Sequence, residues 1–169
     1  GGFGAVILAA GSRNLIPRIK GIDSPNVITA NEAMCGKLMT GKVLVIGGGL
    51  VGMEAALQFD ETAEKVTVVE AADAILKTLE ENLNNTQALN AMIESSRIDI
   101  VTSACVTEIS DGYVLYEKDG KTEKVECDTV VVAAGYRPKN EMDDALWDKF
   151  DFYRNIVPEK APGKIVQVV

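Results

Sequence analysis

Short, continuous apolar runs recur along the chain, and glycine, an acid or a polar residue closes most of them. Such runs are typical of strands buried on both faces of a parallel sheet, because other elements cover the two faces. The pattern predicts strands at Ala5–Ala10, Lys42–Ile46, Lys65–Val69, Ile98–Val101, Thr129–Ala134 and Lys164–Val169.

Helical spacing of apolar residues fills several of the gaps between these strands. It predicts one helix beginning near Leu50 and a second over Thr78–Ser96. A short helix capped by Asn31 and running through Cys35, and another over Glu141–Phe152, are also predicted. Strands that alternate with helices predict an α/β fold with a Rossmann-like parallel sheet.

Residues 105–127 follow a different pattern. Apolar and polar residues alternate over Cys105–Ile109, Tyr113–Lys118 and Thr122–Cys127, and an Asp-Gly pair separates each segment from the next. Asp-Gly between alternating segments favours tight hairpin turns. The sequence therefore predicts a three-stranded antiparallel meander beside the parallel sheet.

A glycine-rich turn follows the strand Lys42–Ile46. Gly47, Gly49 and Gly52 satisfy G-x-G-x-x-G between a predicted strand and a predicted helix. In a dinucleotide-binding unit the first glycine permits the tight turn, the second lets the backbone approach the pyrophosphate, and the third lets helix and strand pack closely. The N-terminus of the helix would direct its N–H groups at the phosphates. The alternative is a structural turn that binds nothing.

Glu70 ends the next strand, at about the 20-residue spacing expected of a ribose-binding acid. Its carboxylate can accept hydrogen bonds from both adenosine ribose hydroxyls, whereas a 2′-phosphate would meet like charge. The residues that follow, Ala71, Ala72 and Asp73, supply no arginine. We therefore predict NAD(H) in preference to NADP(H), with a solvated strand-end acid as the alternative for Glu70.

Composition narrows the function further. The net charge is −8, so we expect no nucleic-acid or anionic-membrane partner. No apolar run reaches the roughly 18 residues of a membrane helix and no secretory leader opens the chain, which favours a cytoplasmic location. The chain has no histidine, and Cys35, Cys105 and Cys127 lie far apart, so we predict no metal site, no disulfide and no hydrolytic chemistry from this chain alone. No residue is assigned a catalytic role.

Two strands that end in Ala-Ala-Gly add a family resemblance. A first apolar strand closes on Ala9-Ala10-Gly11, the dinucleotide unit follows, and a second strand closes on Ala133-Ala134-Gly135. This order resembles the flavoprotein pyridine-nucleotide reductases with two dinucleotide-binding domains, in which the NAD domain is inserted into the FAD domain. Within that group the segment GGGLVGMEAAL is most similar to the C-terminal reductase region of 2,4-dienoyl-CoA reductase, 2-enoate reductase and related NADH:flavin oxidoreductases.

The resemblance implies a division of the chain. Residues 1–41 would be an FAD-domain strand and linker, residues 42–135 the NAD-binding domain, and residues 136–169 the return linker and strand of an incomplete FAD domain. The first linker keeps Pro17 of the three prolines usual in the family, and Ala10 and Ala134 stand where threonine is usual. The family's FAD-binding motif and its later Gly-Asp are not in these residues. We therefore expect a colourless chain that binds NADH and is inactive alone, with FAD, and in some relatives an upstream FMN barrel, supplied by other segments of a longer enzyme.

The resemblance also implies roles for individual residues. The glycine turn would hold the pyrophosphate, Glu70 the ribose, Val106 the adenine edge and Gly135 the nicotinamide half, while Glu54 would face the nicotinamide and flavin. The expected cofactor-binding residues are Gly47, Gly48, Gly49, Leu50, Val51, Gly52, Glu54, Glu70, Ala71, Val106, Ala134 and Gly135. For Glu54 an acid in the first helical turn is an equal alternative. For the chain, the alternative to a reductase domain is a non-catalytic nucleotide-binding or NAD(H)-sensing module.

Overall fold

A computed structural model describes residues 5–36, 38–77, 84–139, 149 and 152–155. The chain divides into two compact units, one of Ile16–Gly135 and one of Gly1–Leu15 with Tyr136–Val169. The described helices are α1 (Ala30–Met34), α2 (Leu50–Asp60) and α3 (Asn84–Glu94). The described strands are β1 (Ala5–Leu8), β2 (Ser12–Asn14), β3 (Val27–Thr29), β4 (Lys42–Ile46), β5 (Lys65–Val69), β6 (Asp99–Val101), β7 (Ala104–Ser110), β8 (Tyr113–Lys118), β9 (Lys121–Glu126), β10 (Thr129–Val132), β11 (Tyr136–Pro138) and β12 (Phe152–Asn155).

A five-stranded parallel sheet in the order β3-β10-β4-β5-β6 forms the centre of the first unit. Strands β4 and β5 keep their register from Lys42 opposite Lys65 to Ile46 opposite Val69. Strand β10 returns from the far end of the unit to lie between β3 and β4. The parallel sheet confirms the predicted α/β class.

Alternate residues of each central strand serve two separate cores. Val43 and Val45 of β4 pack with the helix side of the sheet, where the side chains of Met53 and Phe59 are fully buried. Leu44 and Ile46 pack with the meander side. Both faces of the sheet are therefore covered, which explains why these strands carry apolar residues on both faces instead of alternating apolar with polar residues.

The meander of β7, β8 and β9 is antiparallel, as predicted. Asp119 and Gly120 have φ values of 51° and 71°, so the second turn needs two residues in the left-handed region. This is the requirement of a type I′ hairpin, and Asp-Gly meets it well. The register of β7 against β8 shifts between Val106 and Glu108.

The second unit contains two described strand pairs. Strand β1 pairs in parallel with β12, and β2 pairs antiparallel with β11. The side chain of Ile7 is 68% exposed. The prediction that the first strand is buried on both faces is therefore wrong at Ile7, because β12 is the one described strand beside it and nothing described covers this side chain.

Two local predictions are also corrected. Thr29, not Asn31, is the N-cap of α1: its backbone N–H donates to the Glu32 carboxylate at 2.8 Å, and its hydroxyl accepts from the Glu32 N–H at 3.3 Å. This reciprocal pair is a capping box. Phe152, predicted to end a helix, begins β12.

Some predicted segments lie outside the described residues. The helix predicted over Glu141–Phe152 falls almost wholly outside the described residues, as do the start of the helix predicted over Thr78–Ser96 and the strand at Lys164–Val169. The linker predicted within residues 1–41 contributes more structure than expected. It holds β2, and it holds β3, which forms one edge of the parallel sheet.

Candidate functional site

A cleft of about 530 Å³ lies at the carboxyl ends of the parallel strands in the first unit. Its volume falls within the range of about 300 to 1,000 Å³ that is usual for small-molecule sites. The predicted site residues that line it are Gly47, Gly49, Glu70, Ala71, Val106, Ala134 and Gly135. Open α/β sheets bind ligands at this end of their strands.

The remaining predicted residues do not line the cleft. Gly48 and Gly52 are buried, and Leu50 and Val51 are half-buried. Glu54 is exposed and lies beyond the first turn of α2, which contains no acid. The alternative interpretation of Glu54, an acid in the first helical turn, is therefore wrong.

The three motif glycines meet three different surroundings. A β-carbon on Gly47 would lie 2.5 Å from the carbonyl oxygen of Ala133, and Gly47 has a φ of 108°. A β-carbon on Gly52 would overlap the carbonyl oxygen of Gly47. A β-carbon on Gly49 would have no protein atom within 4 Å. Gly47 and Gly52 are therefore required by packing, whereas the missing side chain of Gly49 keeps space open on the cleft side.

Glu70 holds the glycine turn as well as lining the cleft. One carboxylate oxygen accepts from the N–H of Gly48 at 2.5 Å, and the other accepts from the N–H of Ala72 at 2.7 Å. A carboxylate has about four acceptor positions, so two stay available to hydroxyl groups of a ligand. The spacing of the motif indicated the acid but not this bond to the turn.

Helix α2 presents its N-terminus at the same turn. Gly49 is the N-cap and makes no side-chain capping hydrogen bond. The first N–H groups of a helix have no partner within the helix, and the helix dipole adds about half a positive charge there. The end of α2 can therefore bind a phosphate-like group without a lysine.

Pro17, Arg18 and Ile19 also line the cleft, and sequence analysis missed them. They belong to the segment predicted as a linker, far from the glycine motif in sequence. A backbone hydrogen bond of 2.8 Å from the Ile109 N–H to the Lys20 carbonyl places this segment beside β7. No local pattern could have indicated this placement, because it depends on a contact between residues that are distant in sequence.

No group of three or more histidine, cysteine or acidic side chains is placed to hold a metal ion in the part of the chain that the structure describes. Within the same residues, no helix has both the length and the apolar content needed to cross a membrane.

The fold and the cleft define a Rossmann-like α/β protein with a nucleotide-type turn at the carboxyl end of its sheet. The family model for pyridine nucleotide-disulphide oxidoreductases matches residues 2–152. The chain belongs to this family, which confirms the resemblance to the pyridine-nucleotide reductases at the level of the family.

Individual relatives agree with this placement. Dihydrolipoyl dehydrogenase of Acholeplasma laidlawii is 31% identical over 165 residues, which make up 90% of this chain and 48% of that protein. NADH oxidase of Thermoanaerobacter brockii is 36% identical over 173 residues, covering 97% of this chain and 26% of that protein. The solved structure of 2-naphthoyl-CoA reductase with 2-naphthoyl-CoA matches with a TM-score of 0.82 and 25% identity, over 98% of this chain and 25% of that chain. The chain thus spans half or less of the length of each.

Proposed function

We propose that the cleft binds NAD(H) and that this chain is the NAD-binding part of a larger FAD-dependent oxidoreductase. The observation that carries the proposal is the open space at Gly49 beside the carboxylate of Glu70, at the carboxyl ends of the strands. A pyrophosphate would lie against Gly49 and the N-terminus of α2, and the adenosine ribose would lie against Glu70. Val106 would border the adenine, and Ala134 and Gly135 the nicotinamide half.

Glu70 favours NAD(H) over NADP(H). Its two backbone hydrogen bonds fix the carboxylate in the cleft, so it can accept from ribose hydroxyls without first being ordered. Each such charge-assisted bond contributes about 1.5 to 3 kcal/mol. A 2′-phosphate at the same position would instead be repelled by the carboxylate.

Titration of the 169-residue chain with NADH and NADPH tests this proposal. Calorimetry or quenching of NADH fluorescence would give both dissociation constants. We expect NADH to bind, and to bind more tightly than NADPH. A chain that is folded by circular dichroism yet binds neither nucleotide would overturn the proposal, and equal affinity would overturn the cofactor preference.

The larger enzyme is proposed to be of the 2,4-dienoyl-CoA reductase and 2-enoate reductase type. The similarity to 2-naphthoyl-CoA reductase supports this subgroup. The sequence predicts residues 1–41 and 136–169 as FAD-domain segments and residues 42–135 as the NAD domain. We propose that the NAD-binding unit also includes residues 16–41, because they belong to the compact unit Ile16–Gly135, supply β3 to its sheet and line the cleft at Arg18. A flavin, when bound by other segments and by any upstream FMN barrel, would supply the hydride acceptor. The residues of this chain would bind and orient the nucleotide, and the enzyme would be cytoplasmic.

A comparison of two protein lengths tests the larger assignment. We expect the 169-residue chain to carry no flavin absorbance and to leave NADH unoxidised, whereas the product of the complete gene is yellow and oxidises NADH. A complete gene product without bound flavin would favour the NAD(H)-sensing alternative and overturn the reductase proposal.

A further inference from the structure

Arg18 is an exposed cation in the wall of the cleft, in the same lining as Gly49 and Glu70. It makes no hydrogen bond, ion pair or ring contact with any other residue that the structure describes. Neighbouring Lys20 differs, since its amine lies 2.9 Å from the Glu108 carboxylate. The guanidinium of Arg18 is therefore available to a ligand in the cleft.

The unpaired guanidinium of Arg18 matters because the cleft contains few charged side chains. Among the described residues that line it, Arg18 and Glu70 are the charged ones. Glu70 already accepts two backbone hydrogen bonds. A dinucleotide brings two negative charges on its pyrophosphate to a chain whose net charge is −8. Since long-range repulsion opposes binding, a local cation is worth more here than on a neutral protein.

The backbone around Arg18 is held in place. The amine of Lys20 pairs with Glu108, and its carbonyl accepts from the N–H of Ile109 at 2.8 Å. Gly21 has a φ of 82°, and a β-carbon there would overlap the carbonyl oxygen of Ile109. These contacts fix the segment against β7, so a ligand would have to order only the side chain of Arg18.

We propose that Arg18 binds a phosphoryl group of the dinucleotide and is a determinant of affinity in this cleft. The inference rests on the proposed NAD(H) function. A guanidinium offers five N–H donors in a planar fork that matches two phosphoryl oxygens. The phosphoryl group can be the pyrophosphate, which every candidate nucleotide carries, or the 2′-phosphate of NADP(H).

Charge-removing variants separate these sources. Arg18→Gln removes the cation, Arg18→Lys keeps the charge without the fork, and Lys121→Gln removes one charge at the exposed start of β9, outside the cleft. The probes are NADH, NADPH and ADP-ribose. For a pyrophosphate contact, we expect Arg18→Gln to weaken all three by about tenfold. For a 2′-phosphate contact, it would weaken NADPH alone.

Ionic strength gives a second readout. The affinity of the wild-type chain should fall as salt rises, and the Arg18→Gln variant should show a shallower dependence, because screening acts on the lost charge pair. We expect Arg18→Lys to recover part of the affinity and Lys121→Gln to bind as the wild type does. Arg18→Gln binding every probe as tightly as Lys121→Gln would overturn the inference.

The same titrations keep the two proposals apart. If the wild-type chain binds NADH and Arg18→Gln binds it equally well, with no loss for NADPH, the role of Arg18 fails and the proposed function stands. If the folded wild-type chain binds none of the three probes, the proposed function fails, and the role of Arg18 fails with it.

Discussion

Gly49 and Gly52 lie three residues apart in one turn, yet a methyl group would meet opposite surroundings at the two. At Gly49 it would enter open space, and the backbone there, with a φ of −72°, suits any residue. At Gly52 it would overlap the carbonyl oxygen of Gly47 and press on the Ala133 side chain at 3.3 Å. One glycine therefore leaves room for a ligand, and the other is required by the fold.

The two alanine variants should consequently separate binding from stability. We expect Gly49→Ala to keep the melting temperature of the wild type and to lose most of its affinity for NADH. Gly52→Ala should lower the free energy of unfolding by about 1 to 3 kcal/mol, because it overpacks a rigid backbone contact. Thermal melts and NADH titrations of both variants check this.

Gly112→Ala is the control for replacing a glycine by alanine outside the cleft. A β-carbon there has no atom within 4 Å, but its φ of 77° predicts a modest loss of stability without any loss of affinity. NADH binding to Gly49→Ala at wild-type strength would contradict the proposed path of the nucleotide.

The three cysteines should differ in reactivity. Cys35 and Cys105 are exposed, and Cys127 is buried. Burial raises the pKa of the Cys127 thiol to about 11, and the charge of Asp128 acts in the same direction. Since the thiolate is the reactive form, we expect iodoacetamide at pH 8 to modify Cys35 and Cys105 first and Cys127 only after unfolding.

Cys105 adds a test of the cleft, because it is among the lining residues. Saturating NADH should slow alkylation of Cys105 and leave Cys35 unchanged as an internal control. Peptide mass spectrometry after timed labelling measures both rates. Equal rates at Cys105 with and without bound NADH would place the nucleotide elsewhere.

At the scale of elements, a hydrogen bond between two side chains joins β8 and β9 of the meander. The hydroxyl of Tyr116 on β8 donates to the carboxylate of Glu123 on β9 at 2.6 Å. This bond, together with burial, raises the pKa of Tyr116 to about 12. The folded state therefore holds this proton more tightly than the unfolded chain, whose tyrosines have a pKa of about 10.

The sign of the pH dependence follows from this difference. The contribution of Tyr116 to stability is fully present below about pH 10 and is lost as the pH rises from about 10 to about 12. We expect Tyr116→Phe to cost about 1 kcal/mol at pH 8. As the pH rises above about 10, the free energy of unfolding of this variant should also fall less steeply than that of the wild type.

Urea unfolding at several pH values between 8 and 11 measures both effects. Tyr113→Phe is the matched control, because it lies on the same strand and its ring, which Lys124 covers at 4.2 Å, is retained. If the free energy of unfolding of Tyr116→Phe falls with rising pH as steeply as that of the wild type, the bond from Tyr116 to Glu123 does not cause the pH dependence.

Elements defined by local pattern were predictable, and those defined by distant contacts were not. The strands Lys42–Ile46 and Lys65–Val69 and the start of α2 were located from apolar runs and glycine spacing, and the structure has the same bounds. By contrast β2, β3 and β11 are three residues long, too short to show a periodic pattern. Their sequences become strands because a partner strand lies beside them.

The candidate site also contains features that the sequence predicted and features that it did not. Its glycine turn and acid were predicted, since both lie within one strand–helix–strand unit whose spacing is visible in the sequence. Arg18 and the hydrogen bond from the Gly48 N–H to the Glu70 carboxylate were missed. Arg18 reaches the cleft through contacts between segments that are distant in sequence, and the hydrogen bond depends on the conformation of the Glu70 side chain, which no spacing rule specifies.

At the scale of the whole molecule, the two hydrophobic cores formed by the described residues lie within one unit. The buried and partly buried members of the two core clusters all fall between Ile19 and Ala133. Residues 16–135 therefore contain these cores, the cleft and every described residue that lines it. A chain that buries its apolar surface internally has the main requirement for folding alone.

We therefore expect residues 16–135, expressed alone, to unfold in a single cooperative transition. Their dissociation constant for NADH should lie within a few-fold of that of the 169-residue chain, because every described residue that lines the cleft is kept. Calorimetry and NADH titration check the two expectations. If residues 16–135 show no circular dichroism signal of a folded protein, this unit does not fold on its own. If they fold but lose affinity for NADH, the removed segments contribute part of the site.

The pairing of β2 with β11 has a consequence for the ancestry of such chains. Asn14 stands opposite Tyr136 in that pair, so the polypeptide departs toward residues 16–135 and comes back along an adjacent strand. A tight hairpin turn could join the two strands directly in their place. Gaining or losing residues 16–135 as one block therefore requires no change in the pairing of β2 with β11, and genetic recombination could move that block between host proteins.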